Sequence, residues 1–199
     1  MDDRTSEIYE KLKQEIHTIH VKWILYKQIF SPIAENIELL NRHGSNIFHM
    51  LQTQTINEII LNFSKLTDRQ KQGNFENLCL SQLTVYASDN TEIDIAQGLK
   101  LRFTYLKGAC KNFRTARNKL VAHADLSHSL GVAKEPCPGI SFEDIEGALN
   151  LLRDYINYFE FHYVGTKTVY NMPTISLASD GNKLLKALKN ADNFEKLNV

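Results

Sequence analysis

LKLRFTYLKGACKNFRTARNKLVAH, residues Leu99 to His123, carries the plainest helical signal in the chain. Leu99, Phe103, Leu106, Cys110, Phe113 and Leu120 recur with a helical beat, and Arg117 fills the one gap in the series. At roughly 100° per residue this spacing gathers them on one face of a helix. A guanidinium in an apolar seam is costly unless an anion or strong acceptors meet it. A basic stripe runs beside the apolar one: Lys100, Lys107, Lys111 and Arg114 share a flank, with Arg102 and Lys119 adding charge elsewhere. No Asp or Glu falls between Asp94 and Asp125.

Outward from this segment the same periodicity dominates and strand signals are sparse. A first helix is predicted over about Ser6 to Phe30, with Ile8, Leu12, Ile16, Ile19, Trp23 and Phe30 on its buried stripe. Ser31-Pro32 ends it and opens a second, which closes near His43-Gly44 through a left-handed glycine cap. A third helix begins around Ser45, and TDRQKQGNFE (Thr67 to Glu76) reads as a polar loop. Asn77 to Ala87 is a shorter helix, and Asn90 or Thr91 caps the long basic one. After an irregular connection from Ala124 to Ile140, Ser141 and Asp144 form a short-side-chain capping box for a helix that runs to about Val164. A small helix covers Gly181 to Asn190. The expected fold is an all-α, up-and-down helical bundle over residues 1–165, with a C-terminal extension and small helix over 166–199.

Composition narrows the classes. The 199 residues carry 23 Lys plus Arg against 23 Asp plus Glu, so the balance is zero and any attraction for a polyanion is local. Nine Gly and four Pro exclude collagen-like and low-complexity chains. The apolar runs are far below the ~20 residues a membrane helix needs, and no apolar signal core follows Met1. Cys79, Cys110 and Cys137 have no close-spaced pair, which fits neither a disulfide framework nor a zinc site. His17 and His20 lack a third ligand and read as surface or core residues. The expectations are a cytoplasmic, reduced protein with no membrane span, no metal and no cofactor.

Chemistry concentrates in ARNKLVAHAD, Ala116 to Asp125. An arginine there grips phosphate oxygens with a fixed charge, and His123 exchanges a proton near neutral pH. Together they suit RNA cleavage by its own 2′-hydroxyl, which needs a base, an acid and positive charge at the phosphate. On a straight helix the two side chains sit roughly 9 Å apart in rise and about a third of a turn off line. One copy then does not close on a phosphate unless the helix frays near Ala122, and a symmetric homodimer resolves this. Bland readings stand beside these. Arg117 caps carbonyls or pairs with an acid, His123 answers a helix dipole, Asp125 caps the next turn, and the basic stripe is a solvated face paired with acids on the following helix.

The residues Arg117, Asn118 and His123 resemble the signature of the HEPN superfamily: an arginine, a polar residue, and a histidine after a short spacer. The closest likeness is to its bacterial abortive-infection branch, through LTDRQKQGNFENLCLSQL, RNKLVAHAD and the long helix ending near Tyr163. The likeness covers roughly Trp23 to Val164 and the small helix near Lys183 to Leu188. It implies a helical bundle and, in many members, a metal-independent endoribonuclease working as a dimer. Arg117 and His123 would then be catalytic and Asn118 would orient them, with Lys107, Lys111, Arg114 and Lys119 tracking single-stranded RNA. A role in phage defence or as a toxin, with an antitoxin or defence partner, is implied by the same likeness. Other members have lost catalysis and serve as binding modules, so a non-catalytic helical module is the rival expectation.

Overall fold

The computed structural model describes residues 1–90, 92–121, 126–133 and 136–197. His123 and Asp125, and the cap expected at Thr91, lie outside the described residues. The elements are α1 (Asp3–Ile29), α2 (Ala34–Leu66), β1 (Lys71–Gln72), β2 (Phe75–Glu76), α3 (Ser81–Asn90) and α4 (Ile93–Ala109). They continue with α5 (Lys111–Ala116), a π-helical turn (Arg117–Val121), α6 (Leu126–Ser129), α7 (Phe142–Tyr163) and α8 (Gly181–Leu197). The protein is an all-α helical bundle, and its one sheet among the described residues is a two-stranded antiparallel ribbon.

Local chemistry sets most boundaries. Asp2 caps α1 by accepting the Thr5 amide at 2.7 Å, so the helix starts earlier than its apolar pattern suggested. That bond holds the Asp2 carboxyl below its ordinary pKa. The next helix begins at Ala34 on carbonyl bonds to Ile33, two residues beyond the expected Ser31-Pro32 start. Gly44 does not end it: with φ 159° and ψ 57° it kinks a helix that continues to Leu66, so the left-handed cap is replaced by a bend. The polar stretch after α2 closes as a ribbon in register Lys71 with Glu76 and Gln72 with Phe75, turning through Gly73 at φ 60°. At α7 the capping box is present in both directions, Asp144 N to Ser141 Oγ at 3.1 Å and Ser141 N to Asp144 Oδ2 at 2.8 Å.

By contact the chain falls into two units. The first comprises Met1–His17 with Ile60–Tyr170. Its core takes Tyr9, Leu12 and Ile16 from α1, Phe63 and Leu66 from α2, Leu99 and Leu106 from α4, and the stripe Ile145, Leu149, Leu152, Ile156 and Phe159 from α7. Each such side chain contributes about 1.5–3 kcal/mol on burial. Gly98 lets α4 lie against α7, since a Cβ there would meet Tyr158 Cζ at 2.8 Å and collide with its hydroxyl. Glu160, fully buried on α7, accepts from Tyr9 Oη at 2.9 Å, Tyr170 Oη at 2.6 Å, Thr168 Oγ1 at 3.0 Å and Thr168 N at 2.7 Å. Four donors on one carboxyl group fasten the strap after α7 to the bundle.

The second unit comprises Thr18–Ile59 with Asn171–Val199. Leu39, Leu40 and Leu185 are its buried centre, with Ile29, Phe30, Phe48 and Leu188 around them. Asp180 caps α8 through the Lys183 amide at 2.9 Å and is itself held by Gln28 Nε2 at 3.2 Å. On α1, His17 is exposed and His20 is buried.

Candidate functional site

The long basic helix expected from Thr91 to His123 is interrupted. It pivots at Cys110, whose φ of −82° and ψ of 9° end α4 and begin α5. The pivot is internally satisfied: Cys110 N donates to Leu106 O at 3.0 Å, and Cys110 O accepts from Arg114 N at 3.1 Å. Burial pushes the Cys110 thiol up to about 12, so it is an apolar packing group and not a nucleophile. After six residues of α5 the backbone widens into the π-helical turn that begins at Arg117.

The widening changes which residues face inward. Phe113 and Ala116 are buried, but Leu120, expected on the same apolar face, is 59% exposed. A π-turn fits one more residue per turn than the α pattern and rotates the residues beyond it. Arg117 opens the turn and is met by an anion rather than left unpaired. It stands at the rim, with its side chain 21% exposed.

Two neighbours hold the guanidinium. Its Nε donates to Asn118 Oδ1 at 3.0 Å, and its Nη1 lies 3.2 Å from Asp68 Oδ2. Asp68 belongs to the corner after α2, a segment pinned by backbone bonds from Thr67 N to Phe63 O and from Asp68 N to Lys65 O, both 3.2 Å. Its other oxygen accepts from Arg69 N at 2.9 Å. The Asp68 side chain is 31% exposed, and a half-exposed pair of this kind contributes about 0–1 kcal/mol. The guanidinium is thus held by one neutral acceptor and one weak ion pair.

Beside this pair is a cleft of about 350 Å³. Glu15 lines it from α1, Asn62, Lys65 and Leu66 from α2, and Asn77 and Leu78 from the segment after β2. Asp68 is part of its wall, which places the Arg117 guanidinium one side chain away from the space.

The basic stripe divides in two. Lys100, Lys107 and Lys111 are exposed. Arg114 is engaged internally, donating to Thr67 Oγ1 at 3.0 Å and to the Lys107 carbonyl at 2.9 Å, so it ties the end of α2 to α4. Arg102 is also structural: its guanidinium lies 4.0 Å from the Tyr158 ring and donates to Gly98 O. Its Nε is 3.1 Å from Asp154 Oδ2 but off line for a hydrogen bond. Lys119 is half-buried on the π-turn. Arg117 and Asn118 are brought together, Arg114 lies one corner away, and His123 is outside the described residues.

Asp68 and the cleft residues were not singled out in the sequence. Asp68 and Arg117 are 49 positions apart, so no local spacing joins them. The stretch containing Asp68 was distinctive only as part of the family likeness. Among the described residues no group of three or more side chains is placed to hold a metal ion, and no helix is long and apolar enough to cross a membrane.

Fold and site together define an all-α bundle with an arginine–asparagine pair on a widened helical turn. The chain belongs to the HEPN AbiU2 family, an abortive-infection family, which it matches over residues 2–184. No curated protein and no solved structure matches it.

Proposed function

We propose that the protein is a metal-independent endoribonuclease of the HEPN type that acts in phage defence or as a toxin. The observation that carries the reading is the Arg117 fork. It is charged, partly buried, bonded to Asn118 and restrained by a pair with Asp68 at the edge of a cleft. Arg117 binds the scissile phosphate of single-stranded RNA. His123 takes part in proton transfer: the 2′-hydroxyl loses its proton and attacks phosphorus, the bond to the 5′-oxygen breaks, and that oxygen is protonated as it leaves. The products are a 2′,3′-cyclic phosphate and a 5′-hydroxyl, with no redox change and no metal required.

The reaction needs a base and an acid on opposite sides of the phosphate, and one arginine–histidine pair supplies a single imidazole. A homodimer sharing one cleft supplies two. Exposed Lys107 and Lys111, with Lys119 on the π-turn, are the candidates for contact with the RNA backbone. Arg114 contributes through its hold on Thr67 and Lys107.

The test is cleavage of a single-stranded RNA in excess chelator, with end-group analysis of the products. Arg117→Ala and His123→Ala are expected to abolish cleavage while leaving the fold intact. A His123→Ala protein that cuts as fast as the parent refutes the mechanism. The engagement of Arg102, Arg114 and Arg117 with protein groups favours a second reading, a non-catalytic module for RNA or a defence partner such as an antitoxin. That reading predicts salt-sensitive binding without turnover, weakened by Lys107→Glu.

A further inference from the structure

The cleft beside Arg117 has a donor and acceptor pattern of its own. Glu15 brings a carboxylate to it, with two oxygens that only accept. Asn77 gives its Nδ2 to the Arg69 carbonyl at 2.8 Å, which leaves Oδ1 as a further acceptor. Asn62 and Lys65 supply donors, an amide and an ammonium, from successive turns of α2. Leu66 and Leu78 give apolar surface to the same space. The volume of about 350 Å³ is at the low end for small-molecule sites, enough for a single planar heterocycle with its sugar.

We infer that this cleft is a base-reading subsite for guanine, the base flanking the phosphodiester that Arg117 holds. The inference rests on the ribonuclease reading for what brings RNA there. Guanine alone among the four bases pairs two adjacent ring and amino donors, N1–H and N2–H₂, with acceptors O6 and N7 on the neighbouring edge. A carboxylate accepts from the first pair in a fork, and Glu15 brings one to the cleft. Lys65 or the Asn62 amide meets O6 and N7. Cytosine and adenine offer one amino group and uracil one imide, so each leaves part of the polar lining unpaired when it enters. Single-stranded RNA presents such edges because its bases can be splayed out of a stack, with their faces on apolar side chains.

Asp68 couples the two sites. It is at once a wall of the cleft and the partner of Arg117. When phosphate takes the guanidinium, the Asp68 carboxylate is left as a further acceptor at the cleft wall, and base and phosphate are read together.

Two measurements on the full chain test this. The first is binding of guanosine 3′-monophosphate compared with the adenosine, cytidine and uridine 3′-monophosphates by titration calorimetry. The second is cleavage of RNA oligonucleotides that differ only in the base beside a single susceptible linkage. Guanylate is expected to bind about ten- to a hundredfold tighter than the others, and cleavage to show the same order of preference. Glu15→Gln, and separately Asn62→Ala, are expected to pull the guanine-to-adenine ratio towards one. Equal binding of all four nucleotides, a pyrimidine preference, or a ratio untouched by Glu15→Gln overturns the subsite. Cleavage without base preference removes the subsite and keeps the ribonuclease. Guanylate preference without cleavage of any RNA keeps the subsite and removes the ribonuclease.

Discussion

Replacing Glu160 with glutamine keeps the size of the side chain and removes one acceptor oxygen from the middle of the first unit. In the parent, Oε1 receives three hydroxyl donors, from Tyr9, Thr168 and Tyr170, and Oε2 receives the Thr168 amide. A glutamine that keeps its oxygen towards the hydroxyls turns its amide nitrogen on the Thr168 N–H, setting donor against donor. Turned the other way, it leaves hydroxyl protons without an acceptor. Either orientation loses a charge-assisted bond of about 1.5–3 kcal/mol and strands a buried donor at about 1–3 kcal/mol. The expected loss is thus about 2.5–6 kcal/mol, or roughly 5–24 °C in Tm for a chain of this size. Thermal unfolding followed by far-UV circular dichroism measures it. Tyr170→Phe, which removes one donor and leaves the carboxylate paired, is expected to cost about 1 kcal/mol. A glutamine variant within about 1 kcal/mol of the parent refutes the claim that the cluster is satisfied only by a carboxylate.

Three further outcomes are expected. Asp68→Asn takes away the anion competing for Arg117, so RNA binding tightens by about threefold or more at low salt and the gain vanishes when Arg117→Ala is added; equal affinity in both backgrounds would show that Asp68 does not restrain the guanidinium. Gly98→Ala forces a methyl onto Tyr158 between α4 and α7 and costs about 1–3 kcal/mol, read as a fall in Tm. Tyr9, Tyr155 and Tyr170 all have phenols raised above the ordinary 10.0, chiefly by burial, with Glu160 adding to the rise at Tyr9 and Tyr170. A raised folded value means that the native state holds those protons more tightly. Their contribution is intact below pH ~10 and is lost as pH climbs beyond it, so tyrosinate absorbance at these residues should grow together with unfolding.

What the sequence made legible was local. The stripe of α7 and its Ser141–Asp144 box need only neighbours within a few residues, and both are present. The apolar positions Leu12, Ile16, Ile19 and Trp23 on α1 are buried for the same reason. Gly44 was legible as a place where helical geometry fails, but whether the chain stops or bends there is decided by packing beyond the glycine. The break at Cys110 carries no proline signal, and the widening at Arg117 reverses the exposure of Leu120. At the site, the contact of Arg117 with Asn118 joins chain neighbours, and only the family likeness pointed to it. Its partner Asp68 is a product of tertiary folding, as is the cleft, and periodicity is blind to both.

The π-turn has a consequence for chain length. A helix that has swelled to admit a residue holds that residue as slack, and Phe113 and Ala116 are already buried before the slack begins. Deleting a single position within the turn lets it relax to ordinary pitch, swinging Leu120 inwards and shortening the tether after the arginine without unseating the bundle. The interval between the two signature residues is then adjustable by insertion and deletion, independently of the scaffold that carries it.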